Sequence, residues 1–97
     1  MLTIDNIEKK SKEVFALYPI KKVTLFGSYA KGEQTEDSDI DMLVKESDLS
    51  LLTLSRIKQE LTEVFNKKVD LMGESDISDI FKFLIRDEEV VIYEKQG

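Results

Sequence analysis

The sequence predicts an α/β (α+β) fold, a small mixed β-sheet flanked by helices, in a single domain over residues 1–97. Three observations carry that prediction. Apolar residues at helical spacing alternate with short β-favouring runs. The link between the first two runs is too short for a helical crossover, so those strands must be antiparallel. A full helix joins the second run to the third, which makes that pair parallel, with a right-handed crossover. The scale fits one packed core: 97 residues, 41% hydrophobic and 35% charged, bury somewhat over ~60% of the unfolded chain's surface and leave no room for a second domain.

From Thr3 to Tyr18, Ile4, Ile7, Val14, Phe15 and Tyr18 keep helical spacing, and Pro19 closes the segment. Lys22 to Phe26 is a β-favouring run that stops at Gly27-Ser28, and a loop follows through Gly32 and the polar stretch from Glu33 to Ser38. Asp39 to Lys45 alternates, placing Ile40, Met42 and Val44 on one face and Asp39, Asp41 and Leu43 on the other. Ser47 to Ser50 offers N-caps for a second helix marked by Leu54, Ile57, Leu61, Val64 and Phe65 and ending near Asn66. Lys68 to Met72 reads as a third strand closed by Gly73. Ile77, Ile80, Phe81, Leu84 and Ile85 mark a third helix capped by Ser75 or Asp76, with its apolar positions assigned to the core, and Val90 to Tyr93 forms a last strand. No internal repeat, linker or low-complexity segment interrupts this order.

Composition excludes several function classes. Twenty acidic against fourteen basic residues leave a net charge of −6, which argues against an extended grip on a nucleic-acid backbone. Cysteine and histidine are both absent, so there is no disulfide frame, thiolate metal site or histidine base, and any metal must sit on oxygen. No basic stretch followed by an apolar run stands at the start, and no apolar run approaches the ~20 residues of a membrane span. The expectation is a cytoplasmic protein without a membrane partner.

The predicted topology brings the end of the first strand and the starts of the second and third to one edge of the sheet. Gly27, Ser28, Asp39, Asp41 and Asp70 converge there. Asp39 and Asp41, two apart on a strand, leave the same face from backbone positions ~6.6 Å apart. Asp70, between the inward-facing Val69 and Leu71, projects onto that face from the neighbouring strand, completing a three-carboxylate cluster. Such a cluster repels itself, and a hard cation such as Mg²⁺ relieves the repulsion while taking phosphate oxygens and waters as further ligands. This is the ligand set of a two-metal phosphoryl-transfer site. Gly27 permits close backbone approach and Ser28 offers a hydroxyl and an amide to the phosphates of a nucleotide triphosphate.

The stretch Gly27-Ser28-Tyr29-Ala30-Lys31-Gly32, continuing to Asp37-Ser38-Asp39-Ile40-Asp41-Met42-Leu43-Val44, resembles the signature of the minimal nucleotidyltransferases in the DNA polymerase beta superfamily. Gly-Ser, ten intervening residues and Asp-x-Asp are all present, and a later strand carries the third carboxylate at Asp70. The resemblance spans nearly the whole chain and implies a nucleotidyltransferase fold. It implies that Gly27 and Ser28 bind the triphosphate, that Asp39 and Asp41 ligate two Mg²⁺ ions, and that Asp70 ligates one and helps to activate the attacking hydroxyl. Tyr29 stands where many relatives carry arginine, which leaves Lys31 as the cation for phosphate. Many family members pair with a HEPN-domain ribonuclease toxin and silence it by adenylylating a tyrosine, which implies ATP as substrate and an antitoxin role. The acidic surface suits a basic partner, and a homo-oligomer is compatible with the reading.

Each feature also has a plainer explanation. An isolated Asp-x-Asp is usually a solvated strand face, an isolated Gly-Ser a turn, and Lys31 by itself an exposed lysine; their joint spacing is what outweighs these readings. A calcium loop starting at Asp37 fails, because Met42 stands where glycine belongs and Asp48 where glutamate belongs. A P-loop fails because Glu33 and Gln34 follow Gly32 in place of lysine and a hydroxyl residue. The alternative function is a non-catalytic binding module, a steric antitoxin or regulatory subunit. Three intact carboxylates argue against it, since each is costly beside the others without a cation.

Overall fold

The computed structural model describes residues 2–95. Four strands form one sheet in the order β3-β2-β1-β4, where β1 is Lys22–Phe26, β2 Ile40–Lys45, β3 Val69–Gly73 and β4 Val90–Glu94. β1 and β2 are antiparallel, with Phe26 opposite Asp41, and β2 and β3 are parallel, with Asp41 opposite Asp70. Both pairings follow the sequence prediction. β4 adds to the other side of β1 in antiparallel sense, with a register shift between Val23 and Thr24.

Helix α1, Ile4–Phe15, starts from a reciprocal cap. Thr3 Oγ1 accepts the Asn6 N–H at 3.2 Å, and Asn6 Oδ1 accepts the Thr3 N–H at 3.3 Å. The helix stops three residues short of Tyr18, which lies in the turn and donates its hydroxyl to Glu60 at 2.7 Å. The stretch after β1 departs from expectation: Gly27–Lys31 is a short helix, α2, rather than an open loop, and Gly32 at φ +73 ends it in the left-handed conformation. β2 starts one residue later than expected, at Ile40. Helix α3, Leu51–Phe65, is capped by Ser50 and stops at Asn66 in the left-handed region. Neither Ser75 nor Asp76 caps the last helix. Glu74–Asp76 forms a single 3₁₀ turn, and α4, Asp79–Ile85, starts from Ser78, whose hydroxyl accepts the Phe81 N–H at 3.1 Å.

α1 and α3 cover one face of the sheet. Ile7, Phe15, Ile57 and Leu61 pack there against Val23, Leu25, Ile40, Met42, Val44 and Val69. The opposite face holds a much smaller cluster, Phe26, Leu43 and Ile85, with Phe81 edge-on to Phe26 at 5.6 Å between ring centroids. Because α4 touches the sheet only there, its other apolar residues do not reach a core: Ile80 is 74% exposed and Leu84 65%, against the sequence expectation. Among the described residues no helix is long and apolar enough to cross a membrane.

Candidate active site

The predicted residues do meet at one end of the sheet, on the face that α4 leaves largely uncovered. β1 ends at Phe26, and its partner in the ladder is Asp41. The chain then turns sharply through Gly27 at φ +74, a backbone conformation that disfavours any residue with a side chain. A Cβ at this position would come within 2.5 Å of Asp41 Oδ2. The turn therefore favours glycine, and any side chain here would displace the Asp41 carboxylate from where it stands. Ser28, partly buried, follows in the first turn of α2, which no side chain caps.

Asp41 and Asp70 are direct neighbours across the parallel ladder between β2 and β3. Side chains of paired residues leave the same face, with strand axes ~4.8 Å apart. The Asp41 carboxyl is pushed up to about 6, first by burial and then by the negative charges of Asp70 and Asp39. Asp39, just ahead of β2, has Lys68 Nζ at 3.7 Å, and Asp70 has Lys58 Nζ at 3.9 Å. Among the described residues no three acidic side chains close on a single point. The geometry is thus an intimate Asp41–Asp70 pair with Asp39 at its rim, looser than the three-carboxylate cluster expected from strand alternation.

The donor set fits a divalent cation of the Mg²⁺ type. It consists of carboxylate oxygens alone, and the negative charges of Asp70 and Asp39 beside the half-buried Asp41 are ones that a cation would relieve. Lys31 is not aimed at this pair: its Nζ lies 3.3 Å from Glu88 Oε1, tying α2 to the turn before β4. Tyr29 is 1% exposed and belongs to the large core, so it anchors α2 instead of facing the site as a cation would. Two residues that sequence reasoning passed over organise the edge. Lys67 donates to the carbonyls of Glu36 and Ser38, holding the segment that leads into Asp39, and Lys68 pairs with Asp39 itself. The adjacency of a Lys-Lys pair to the start of β3 was the available signal. A cleft of about 490 Å³ beside Pro19, Lys21, Glu46 and Glu94 lies at the far end of β1 from Gly27 and holds none of these groups.

A four-stranded mixed sheet with a Gly-Ser turn set against paired strand aspartates defines a nucleotidyltransferase. The comparisons agree: residues 9–97 match the family described as Polymerase beta, Nucleotidyltransferase, and the chain belongs to that family. It is 40% identical over 90 residues to a candidate protein adenylyltransferase of Methanocaldococcus jannaschii, covering 92% of this chain and 97% of that one. It is 34% identical over 93 residues to the protein adenylyltransferase MntA of Thermococcus cleftensis, covering 90% and 94%. Among solved structures, the complex of a tri-AMPylated Shewanella oneidensis HEPN toxin with its MNT antitoxin superposes with a TM-score of 0.71 at 21% identity, covering 97% of this chain and 75% of that one, a likeness of fold. The chain is therefore an enzyme of the minimal nucleotidyltransferase type.

Proposed function

We propose that this chain transfers AMP from ATP to a hydroxyl of a partner protein, a tyrosine of a HEPN-domain toxin, and so acts as an antitoxin. The observation that carries this reading is the Asp41–Asp70 pair lying against Gly27, where the backbone has no side chain to separate it from the carboxylate. The M. jannaschii and T. cleftensis relatives are named for protein adenylylation, and the Shewanella complex pairs an MNT antitoxin with an AMPylated HEPN toxin.

Each residue then has a task. Asp39 and Asp41 would hold two Mg²⁺ ions and Asp70 one of them; such ions, when bound, polarise the α-phosphate and neutralise charge developing on it. Gly27 and the Ser28 hydroxyl and amide hold the triphosphate. Asp70 accepts the proton of the acceptor hydroxyl as its oxygen bonds to the α-phosphorus, and the bond to the β-phosphate oxygen breaks to release pyrophosphate. Lys31 is a phosphate ligand only after it leaves Glu88, and Lys58 and Lys68 already neutralise part of the site's charge.

The test is intact-mass spectrometry of the HEPN partner after incubation with the chain, Mg²⁺ and ATP. One or more AMP units should be added, and replacing Asp39 and Asp41 together should abolish the addition while leaving the complex intact. A partner whose mass never changes, yet which the double variant still neutralises, would establish steric binding in place of transfer.

A further inference from the structure

Asp70 lies in the middle of β3, and β3 is an edge of the sheet. The register decides which backbone groups of that strand remain free. The Ile40 N–H donates to the Lys68 carbonyl at 3.1 Å, and Ile40 stands opposite Val69. In a parallel ladder a bonded residue takes its partners one before and one after the residue opposite it, so Lys68, Asp70 and Met72 turn their N–H and C=O groups toward β2. Val69 and Leu71 turn theirs to the open edge, as does the Gly73 N–H. Among the described residues no further backbone bond engages Val69 or Leu71.

Edge strands are ordinarily blunted by charge, proline or a bulge. Between Val69 and Gly73 the only charge is that of Asp70; Lys58 of α3 reaches to 3.9 Å from it and has to turn aside for a strand to pair there. Alongside runs a shallow groove of about 200 Å³, lined by Leu51, Lys58, Met72 and Asp76 among others. Leu51, 71% exposed, offers an apolar rim, while Lys58 and Asp76 supply one charge of each sign.

We propose that the acceptor reaches the site as an extended segment of a protein that pairs with the free edge of β3 as a fifth strand and presents a hydroxyl-bearing side chain beside Asp70. The proposal rests on the nucleotidyl-transfer reading and names the form its acceptor takes. Free backbone groups recurring at every second residue are matched by another strand; a helix spends its own N–H and C=O groups internally, and a small molecule cannot match the repeat. Residues paired across a ladder share a face, so the segment residue opposite Asp70 projects over the same face as Asp41 and Asp70, one strand spacing of ~4.8 Å away. From there its oxygen can bond to the α-phosphorus as its proton passes to Asp70 and pyrophosphate leaves. The rim at Leu51 takes an apolar side chain of the segment.

Two measurements test this. The first compares Leu71→Pro with Leu71→Ala in transfer to the HEPN partner. Both lose the leucine side chain, but only proline removes the outward N–H, and it leaves the ladder with β2 intact. KM for the protein acceptor should rise about tenfold or more in Leu71→Pro relative to Leu71→Ala, with ATP affinity unchanged. The second needs no variant: amide exchange on the full chain with and without a pentapeptide of tyrosine between two valines, with lysine at each end. The Leu71 and Gly73 amides should slow while those of Asp70 and Met72, already bonded to β2, do not. Equal acceptor KM in the two variants, with no slowing at Leu71, overturns the proposal. If the wild type transfers no AMP but the alternating protection appears, the transfer reading fails and the edge pairing stands.

Discussion

The two faces of the sheet are built from the same strands and serve opposite ends. On the face under α1 and α3, seventeen buried residues form one continuous cluster; on the other, only Phe26, Leu43 and Ile85 are buried together among the described residues. Alternation along β2 distributes the chain between them, with Ile40, Met42 and Val44 going to the large core, Leu43 to the small one and Asp41 to the same face as Leu43. The first face supplies stability through apolar burial. The second spends part of it by holding Asp41 half-buried and beside Asp70 and Asp39, and burial first, then those charges, raise its carboxyl to about 6. The contrast teaches why a chain of 97 residues can carry a self-repelling carboxylate site: nearly all of its packing lies behind the sheet, and the site costs little of it.

The largest effect separates chemistry from stability. Asp41→Asn should lower AMP transfer at least ~100-fold, because a neutral amide is a poor ligand for a hard cation. Its thermal midpoint without added metal should hold or rise, since a repelling charge is gone. A clear fall in the midpoint would mean that Asp41 is a structural residue and that the division between the faces is false. The pH profile sharpens the point. The folded-state pKa of Asp41 is raised above its ordinary value of 3.8, so between 3.8 and about 6 the folded chain binds the extra proton. This contribution is fully present below pH 3.8 and is lost as pH rises through 6. Denaturant titrations without metal should therefore lose stability over that window in the wild type, and that component should vanish in Asp41→Asn.

The next effect compares the cores. Leu61, fully buried on the inner side of α3, should cost about 2–5 kcal/mol when cut to alanine, whereas Ile85 in the three-residue cluster should cost roughly half as much or less. Similar losses at both positions in chemical denaturation would show that the second face is as well packed as the first. The smallest effect concerns phosphate. Ser28→Ala should weaken Mg-ATP binding by about 1 kcal/mol, some fivefold in Kd, with the thermal midpoint unchanged. Calorimetry that finds equal affinity removes Ser28 from the triphosphate site.

Strand pairing was legible because it follows from link length. A connection too short for a crossover leaves β1 and β2 no parallel option, and α3 is the length of a crossover between β2 and β3. The position of α4 was not legible. Ile80 and Leu84 keep helical spacing as well as Phe81 and Ile85 do, yet spacing says only that a stripe exists, not how wide a surface waits for it. The short helix at Gly27–Lys31 was hidden for a related reason: five residues are too few to show a period, and what orders them is Tyr29 entering the large core.

By itself the sequence determined the strand order up to β4, the alternation that sends Asp41 to the face opposite Ile40, Met42 and Val44, and the placement of Asp70 in the neighbouring strand, since these depend on local period and chain connectivity. Only the tertiary structure decided that Asp41 and Asp70 pair directly while Asp39 turns to Lys68, that Lys31 is held by Glu88, and that the Asp41 carboxylate lies directly against Gly27. Those outcomes depend on distances between segments far apart in the chain. Packing sets such distances to fractions of an ångström, and no local pattern records them.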